Sequence, residues 1–160
     1  MGARGIYTAQ EEHIVSVLSP QNSTGGVSGQ PINLSNYQHA TIIVQLGATA
    51  AAGTSFNLFC GSTQGSQTTA LPTFDVFSQL TTGTVNDVLG TKTTVTSGSI
   101  VPTANANTFY VFEIDTATLP QGSPYVLFSI TNGANANYVS AVAILSAGRF
   151  TGDQSATATV

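Results

Sequence analysis

Ala40-Thr41-Ile42-Ile43-Val44-Gln45-Leu46 decides the fold. Ala40, Ile42, Val44 and Leu46 fall on one side of an extended chain, while Thr41, Ile43 and Gln45 fall on the other. The period is two, the β-branched content is high, and one face is apolar throughout, which specifies a half-buried strand. Working outward, Phe56, Leu58 and Cys60 share a face in the next apolar run. Further along, Phe109, Val111 and Glu113 oppose Tyr110, Phe112 and Ile114. Residues 13–19, 74–79, 91–96, 125–131 and 138–145 bring the expectation to about eight strands. Short strands at regular spacing, each bounded by Gly, Asn, Ser or Pro, predict an all-β domain: an antiparallel β-sandwich, jelly-roll-like.

Loops are expected at residues 19–31, 48–54, 63–72 and 132–137, all rich in Gly, Ser, Thr, Asn or Ala and without charge. Asn132-Gly133-Ala134-Asn135-Ala136-Asn137 reads as a hairpin joining the strands at 125–131 and 138–145. Two helical signals compete locally. Thr8-Ala9-Gln10-Glu11 matches a capping box, but Ile14-Val15-Ser16-Val17-Leu18 is β-branched and loosely alternating, so strand is preferred there. Asp115 either caps a single helical turn before Pro120 or lies in a plain turn. The tetrapeptide Ala-Asn-Ala-Asn occurs at 104–107 and 134–137, each followed closely by an aromatic strand start; in so biased a composition it does not establish a repeat.

The 160 residues make one domain by length, large enough for a hydrophobic core without staples. The division expected is an extended N-terminal arm at 1–12, the sandwich at 13–150 and a C-terminal tail at 151–160. Only 6% of the residues are charged and the formal net charge is −4. Arg4, Lys92 and Arg149 are the only fixed cations and lie far apart in sequence, so the clustered Lys and Arg that bind nucleic acid by counterion release are missing. The N-terminal residues lack the apolar run of an export signal, and the longest apolar stretch, 138–147, is about half a bilayer span. Neither export nor membrane insertion is expected. Asn22-Ser23-Thr24 and Asn33-Leu34-Ser35 match the glycosylation sequon, which means little without a secretory signal.

Candidates for chemistry are few. Cys60 is the single cysteine, so no internal disulfide or zinc cluster of cysteines can form. A thiol dyad of Cys60 with His13 or His39 is opposed by the position of Cys60 on the Phe56 and Leu58 face, where a buried cysteine fits better. Glu113 and Asp115 share a strand face, but a glycosidase pair comes from separate elements across a cleft, so a solvated edge or a cap is expected. Asp75, Asp87 and Asp153 supply no metal-ligand spacing, and no nucleotide, hydrolase or zinc-protease motif occurs. The expectation is a chain that is not an enzyme and uses no cofactor or metal.

Four stretches, MGARGIYTAQEEHIVSVLSP (1–20), LSNYQHATIIVQLGAT (34–49), FYVFEIDTATLP (109–120) and YVSAVAILSAGRF (138–150), resemble in this order a family of small tailed-bacteriophage virion proteins, the head decoration, cement or capsid-stabilising proteins. That resemblance covers roughly residues 1–150 and implies a β-rich homotrimer on the outer surface of the capsid. Made in the host cytoplasm, it would clamp adjacent subunits of the major capsid protein. Contacts with the capsid or between copies are expected from Arg4, Ile6, Tyr7, Glu11 and Glu12, because the apolar residues there precede the first strand without a patterned core partner; Arg149 and Phe150 come next. The opposite reading is that both termini pack on their own domain. From a different class, a receptor- or carbohydrate-binding β-sandwich of a tail fibre or cell-surface protein has the same neutral, Thr- and Asn-rich character.

Overall fold

The computed structural model describes residues 8, 12–47, 55–80, 89–102, 107–131 and 137–148. Twelve strands and one 3₁₀ turn are present among them. The strands are β1 (His13–Asn22), β2 (Val27–Ser28), β3 (Ile32–Asn33), β4 (His39–Leu46), β5 (Ser55–Gly61), β6 (Thr69–Ala70), β7 (Phe74–Leu80), β8 (Thr93–Val95), β9 (Ser99–Ile100), β10 (Thr108–Asp115), β11 (Tyr125–Thr131) and β12 (Tyr138–Ser146). One antiparallel sheet has the order β1-β12-β4-β10-β7-β8. The other runs β2-β11-β5-β6, with β3 pairing β11 and β9 pairing β5. The first and last long strands pair, and β11 pairs β5 inside them, the nested connectivity of a jelly-roll-like sandwich.

Alternation along each long strand places one apolar row inward. Ala40, Ile42, Val44 and Leu46 of β4 are buried, as are Tyr110, Phe112 and Ile114 of β10. From the facing sheet come Phe56, Leu58 and Cys60 of β5 and Val126, Phe128 and Ile130 of β11. Phe112 meets Phe56 and Phe128 with ring centroids 5.9 Å apart in each case, and Phe56 lies 5.7 Å from Phe128. Tilted and edge-to-face pairs of this kind add about 0.5–1.5 kcal/mol each beyond the area they bury. The three rings join the two sheets at their centre.

Both open sides of the sandwich are closed by chain passing between sheets. On one side Gly29 N–H donates to the Phe128 carbonyl and Gln30 N–H to the Val17 carbonyl, tying β11 to the edge strand β1. A Cβ on Gly29 would lie 2.8 Å from Val17 Cγ1, so only glycine passes there. On the other side the chain runs from β8 into β9 through Gly98, whose φ is +73° and whose Cβ would lie 2.6 Å from that of Ala70. The Gly98 carbonyl accepts from Leu58 N–H.

All eight expected strands are present, and β1 continues through Pro20 to Asn22 because an edge strand tolerates a residue without an N–H. Its loose alternation has a cause: register shifts between Ser16 and Leu18 and between Leu18 and Gln21 turn both Val17 and Leu18 inward. The two-residue strands β2 and β6 occupy stretches expected to be loop. Asp115 does cap a helical turn, Thr116–Thr118, its side chain accepting from Ala117 N–H at 2.9 Å.

The expected hairpin between β11 and β12 is wrong. The two strands lie in opposite sheets, β11 between β5 and β2, β12 between β1 and β4. A strand with one apolar face satisfies burial equally well beside its neighbour or across the core from it, and local pattern does not separate the two. Asn137, just before β12, accepts at its carbonyl from Ser23 N–H at 2.7 Å, which continues the pairing of β1 with β12.

Removing the Phe112 ring takes away the contact shared by both sheets. Phe112→Ala is expected to lower the free energy of unfolding by about 3–5 kcal/mol, read as a drop in the urea midpoint.

Candidate interaction surface

The outer face of the six-stranded sheet is built by the residues that the core alternation turns away. Register sets them in rows across the strands. One row runs Ile14, Ile144, Thr41, Glu113, Asp75 and Thr94 from β1 to β8. The next runs Ser16, Val142, Ile43, Val111 and Phe77. Tyr138 stands further along β12 on the same side. Tyr138 is 62% exposed, Ile14 50% and Val142 39%, three of the five large hydrophobics left exposed among the described residues. Val111 is only 8% exposed yet lies outside the core cluster, so the second row forms an apolar layer of its own.

Towards β10, β7 and β8 the first row turns polar. His39 Nε2 and Thr41 Oγ1 both lie 2.7 Å from Glu113 Oε2, the threonine hydroxyl donating. Beside them Lys92 Nζ donates to Asp75 Oδ2 at 3.0 Å and Thr94 Oγ1 to Asp75 Oδ1 at 2.6 Å. The Thr94 hydroxyl first, and Lys92 second, hold the Asp75 carboxyl below its ordinary value. Asp75, Glu113 and Asp115, with Thr73, Phe74 and Thr118, line an open cleft of about 230 Å³. Three carboxylates and one lysine leave this end with a surplus of two negative charges when His39 is neutral. Among the described residues no group of three or more His, Cys, Asp or Glu is disposed to hold a metal ion. A second cleft, about 410 Å³, lies between the 3₁₀ turn and the β3–β4 connection and is lined by Leu34, Leu119, Pro120, Pro124 and small polar residues without a charge.

The outer face of the smaller sheet differs. Ser55, Asn57, Ser129 and Thr131 stand outward there, with Asn57 Nδ2 donating to Thr131 Oγ1 at 2.8 Å. Tyr125, Leu127 and Phe59 are its apolar members, all half-buried.

Of the residues expected to make contacts, Arg4, Ile6, Tyr7, Glu11, Arg149 and Phe150 lie outside the described residues, as do residues 151–160 and most of both Ala-Asn-Ala-Asn tetrapeptides. Glu12 N–H donates to the Thr8 carbonyl at 2.8 Å, and Glu12 Oε2 is buried without a hydrogen-bond partner. His13 stacks on Tyr37 at 6.0 Å and His39 pairs with Glu113, while Cys60 is fully buried in the core, where burial pushes its thiol up from its ordinary value. No dyad forms from them. Glu113 and Asp115 separate into a hydrogen-bonded surface residue and a cap. The sequons make turns: Asn22 Oδ1 accepts from Thr24 N–H and Oγ1, and Asn33 Oδ1 from Ser35 N–H and Oγ. The apolar rows were missed from sequence, although Ile43 on the polar side of β4, and Phe109 and Val111 on the Glu113 side of β10, already signalled them.

No protein-family model matches the sequence, and no curated protein matches it. Among solved structures, the chain is similar to the SPBc2 prophage-derived protein YomS, with 14% identity and a TM-score of 0.47 over 84% of this chain and 93% of that one. It is also similar to a family two carbohydrate esterase from Cellvibrio japonicus, with 7% identity and a TM-score of 0.23 over 86% of this chain and 34% of that one. At these TM-scores neither likeness bears on what the chain does. No helix among the described residues is long and apolar enough to cross a membrane.

Because the folded Asp75 carboxyl sits below its ordinary value, its contribution to stability is present above the ordinary carboxylate range and is lost as pH falls through the folded value. Thr94→Ala removes the larger cause. The Asp75 titration followed by NMR is expected to move up toward the ordinary carboxylate value in that variant, and an unmoved titration would contradict the assignment.

Proposed function

We propose that this chain is a structural virion protein that decorates the outside of a tailed-phage capsid and braces adjacent major capsid subunits, acting by contact rather than turnover. The observation that carries this reading is the outer face of the six-stranded sheet: an apolar strip from Tyr138 through Val142, Ile43 and Phe77, on a chain with 6% charged residues. The sequence resemblance to head decoration proteins gives the partner, and an acidic chain without clustered cations suits the outer capsid surface better than the DNA-lined interior.

The contact works by burial and repetition. A standard protein interface removes about 800 Å² from each partner. Several such contacts made by one homotrimer combine through effective concentration, so each is individually modest. The binding strip contains no charged residue, so association depends weakly on ionic strength. In the same reading, further contacts come from Arg4, Ile6, Tyr7, Glu11 and Glu12, which precede β1 in the sequence, and from Arg149 and Phe150, which follow β12.

The test is add-back of the purified protein to expanded heads that lack it, with occupancy counted by cryo-EM. Cement occupancy approaches hundreds of copies, on the order of one per lattice position; a few copies at a tail would instead support the receptor-binding reading. Val142→Glu sets a charge in the strip and is expected to weaken binding at least about tenfold, with folded stability changed by less than about 0.5 kcal/mol. Deleting residues 1–10 is expected to release the protein from heads with the fold intact. Unchanged occupancy for Val142→Glu, or a steep loss of occupancy between low and moderate salt, overturns the proposed contact.

A further inference from the structure

A sheet edge leaves backbone N–H and C=O groups for another strand. Most edges here are short among the described residues: β8 has three residues, and β2, β3, β6 and β9 have two each. β1 is the exception, ten residues long with β12 on one side of it. Its second half is guarded. Gln30 N–H donates to the Val17 carbonyl from outside the sheet, register shifts fall between Ser16 and Leu18 and between Leu18 and Gln21, and Pro20 follows. Its first half has no such guard. His13 to Ser16 pair with Leu145 to Val142 in unbroken register, carry no Lys, Asp, Glu or Pro, and include the half-exposed Ile14.

We propose that this open half of β1 pairs with the same segment of a second copy, antiparallel, about a two-fold axis at Ile14. The alternation of the strand fixes that centre. Opposed residues of an antiparallel pair share a face, so a symmetric pairing centres on a residue rather than between two. Centring on Val15 sets His13 of each copy against Val17 of the other, where Gln30 already sits. Centring on His13 sets Val15 against the turn that Glu12 N–H closes on the Thr8 carbonyl. Centring on Ile14 meets neither obstacle. It brings the two half-exposed Ile14 side chains together, Cβ atoms about 4.5–5.5 Å apart. His13 then lies opposite Val15 and Glu12 opposite Ser16, so no charge faces a like charge. This self-complementarity is what selects a second copy as the occupant: one segment supplies both sides of the pair. Residues 12–16 of each copy make a contact smaller than the about 800 Å² that a standard interface takes from each partner. It therefore forms at high protein concentration, or where copies already stand side by side. The contact uses neither Val142, Ile43 nor Phe77 and goes beyond capsid binding. A two-fold contact cannot close a three-fold ring, so in a homotrimer it joins one trimer to the next.

Disulfide trapping tests the pairing, since native Cys60 is fully buried and out of reach. In concentrated protein under mild oxidation, Ile14→Cys is expected to form a linked dimer at least about a hundredfold faster than Ser16→Cys. The reason is distance: the two Ser16 positions lie four residues apart along the paired strands, about 14 Å. In the unsubstituted protein, hydrogen exchange at residues 13–16 is expected to slow as protein concentration rises. Ile14→Asp, which sets two carboxylates on the axis, is expected to abolish that dependence. Equal rates for the two cysteine variants, or no linked dimer from Ile14→Cys, overturn the proposal. So does exchange that is equally slow at every concentration, because that result assigns the edge to a segment of the same chain.

Discussion

Three phenylalanine rings from two sheets, Phe56, Phe128 and Phe112, occupy one volume at the centre of the molecule. Once those rings must meet, every strand that carries one has its inward face assigned, because side chains alternate strictly along extended backbone. β10 then turns Tyr110 and Ile114 inward with Phe112, and its partner β4 turns Ala40, Ile42, Val44 and Leu46 inward by register. A one-residue slip in either strand would exchange the core for the surface.

The outer faces follow from the same constraint. What β4 and β12 do not bury they present, and in this chain that remainder includes Ile43, Val142 and Tyr138. The smaller sheet presents serine, asparagine and threonine among its outward residues and bonds some of them to one another. Its half-buried Tyr125, Leu127 and Phe59 stand beside them, whereas Tyr138, Ile14 and Val142 on the larger sheet are exposed. Charge sharpens the difference: among the described residues Asp75, Lys92, Glu113 and Asp115 gather at one end of the larger sheet, where hydroxyls and Lys92 hold Asp75 and Glu113. Surface ion pairs of this sort contribute about 0–1 kcal/mol, so their effect is on which partner fits rather than on stability.

Much of the fold was legible because its signals are local. The alternation in 40–46 and 109–114 acts within a few residues and matches the structure, as does the capping alternative at Asp115, whereas the strand expected to stop at Ser19 runs on through Pro20 to Asn22. The hairpin expected from 125–145 failed because the choice between neighbouring in a sheet and facing across the core depends on which other strands are already paired. The interaction face was half visible. Ile43 and Val111 were odd residues on polar sides, but that they lie in one row with Val142 and Phe77 depends on pairings among strands far apart in the chain. In the sequence the chain termini stand out more, because their aromatic and basic residues follow no strand pattern.

The sequence by itself determined an all-β chain, a single cysteine placed on a core face, and a composition poor in charge, because composition and period-two patterning act residue by residue. Tertiary structure alone decided the order of strands, the placement of β11 and β12 in different sheets, and the gathering of Tyr138, Val142, Ile43 and Phe77 on one face. Those outcomes rest on register between distant segments. Many strand arrangements bury the same apolar residues, and only the packing of all of them at once selects one.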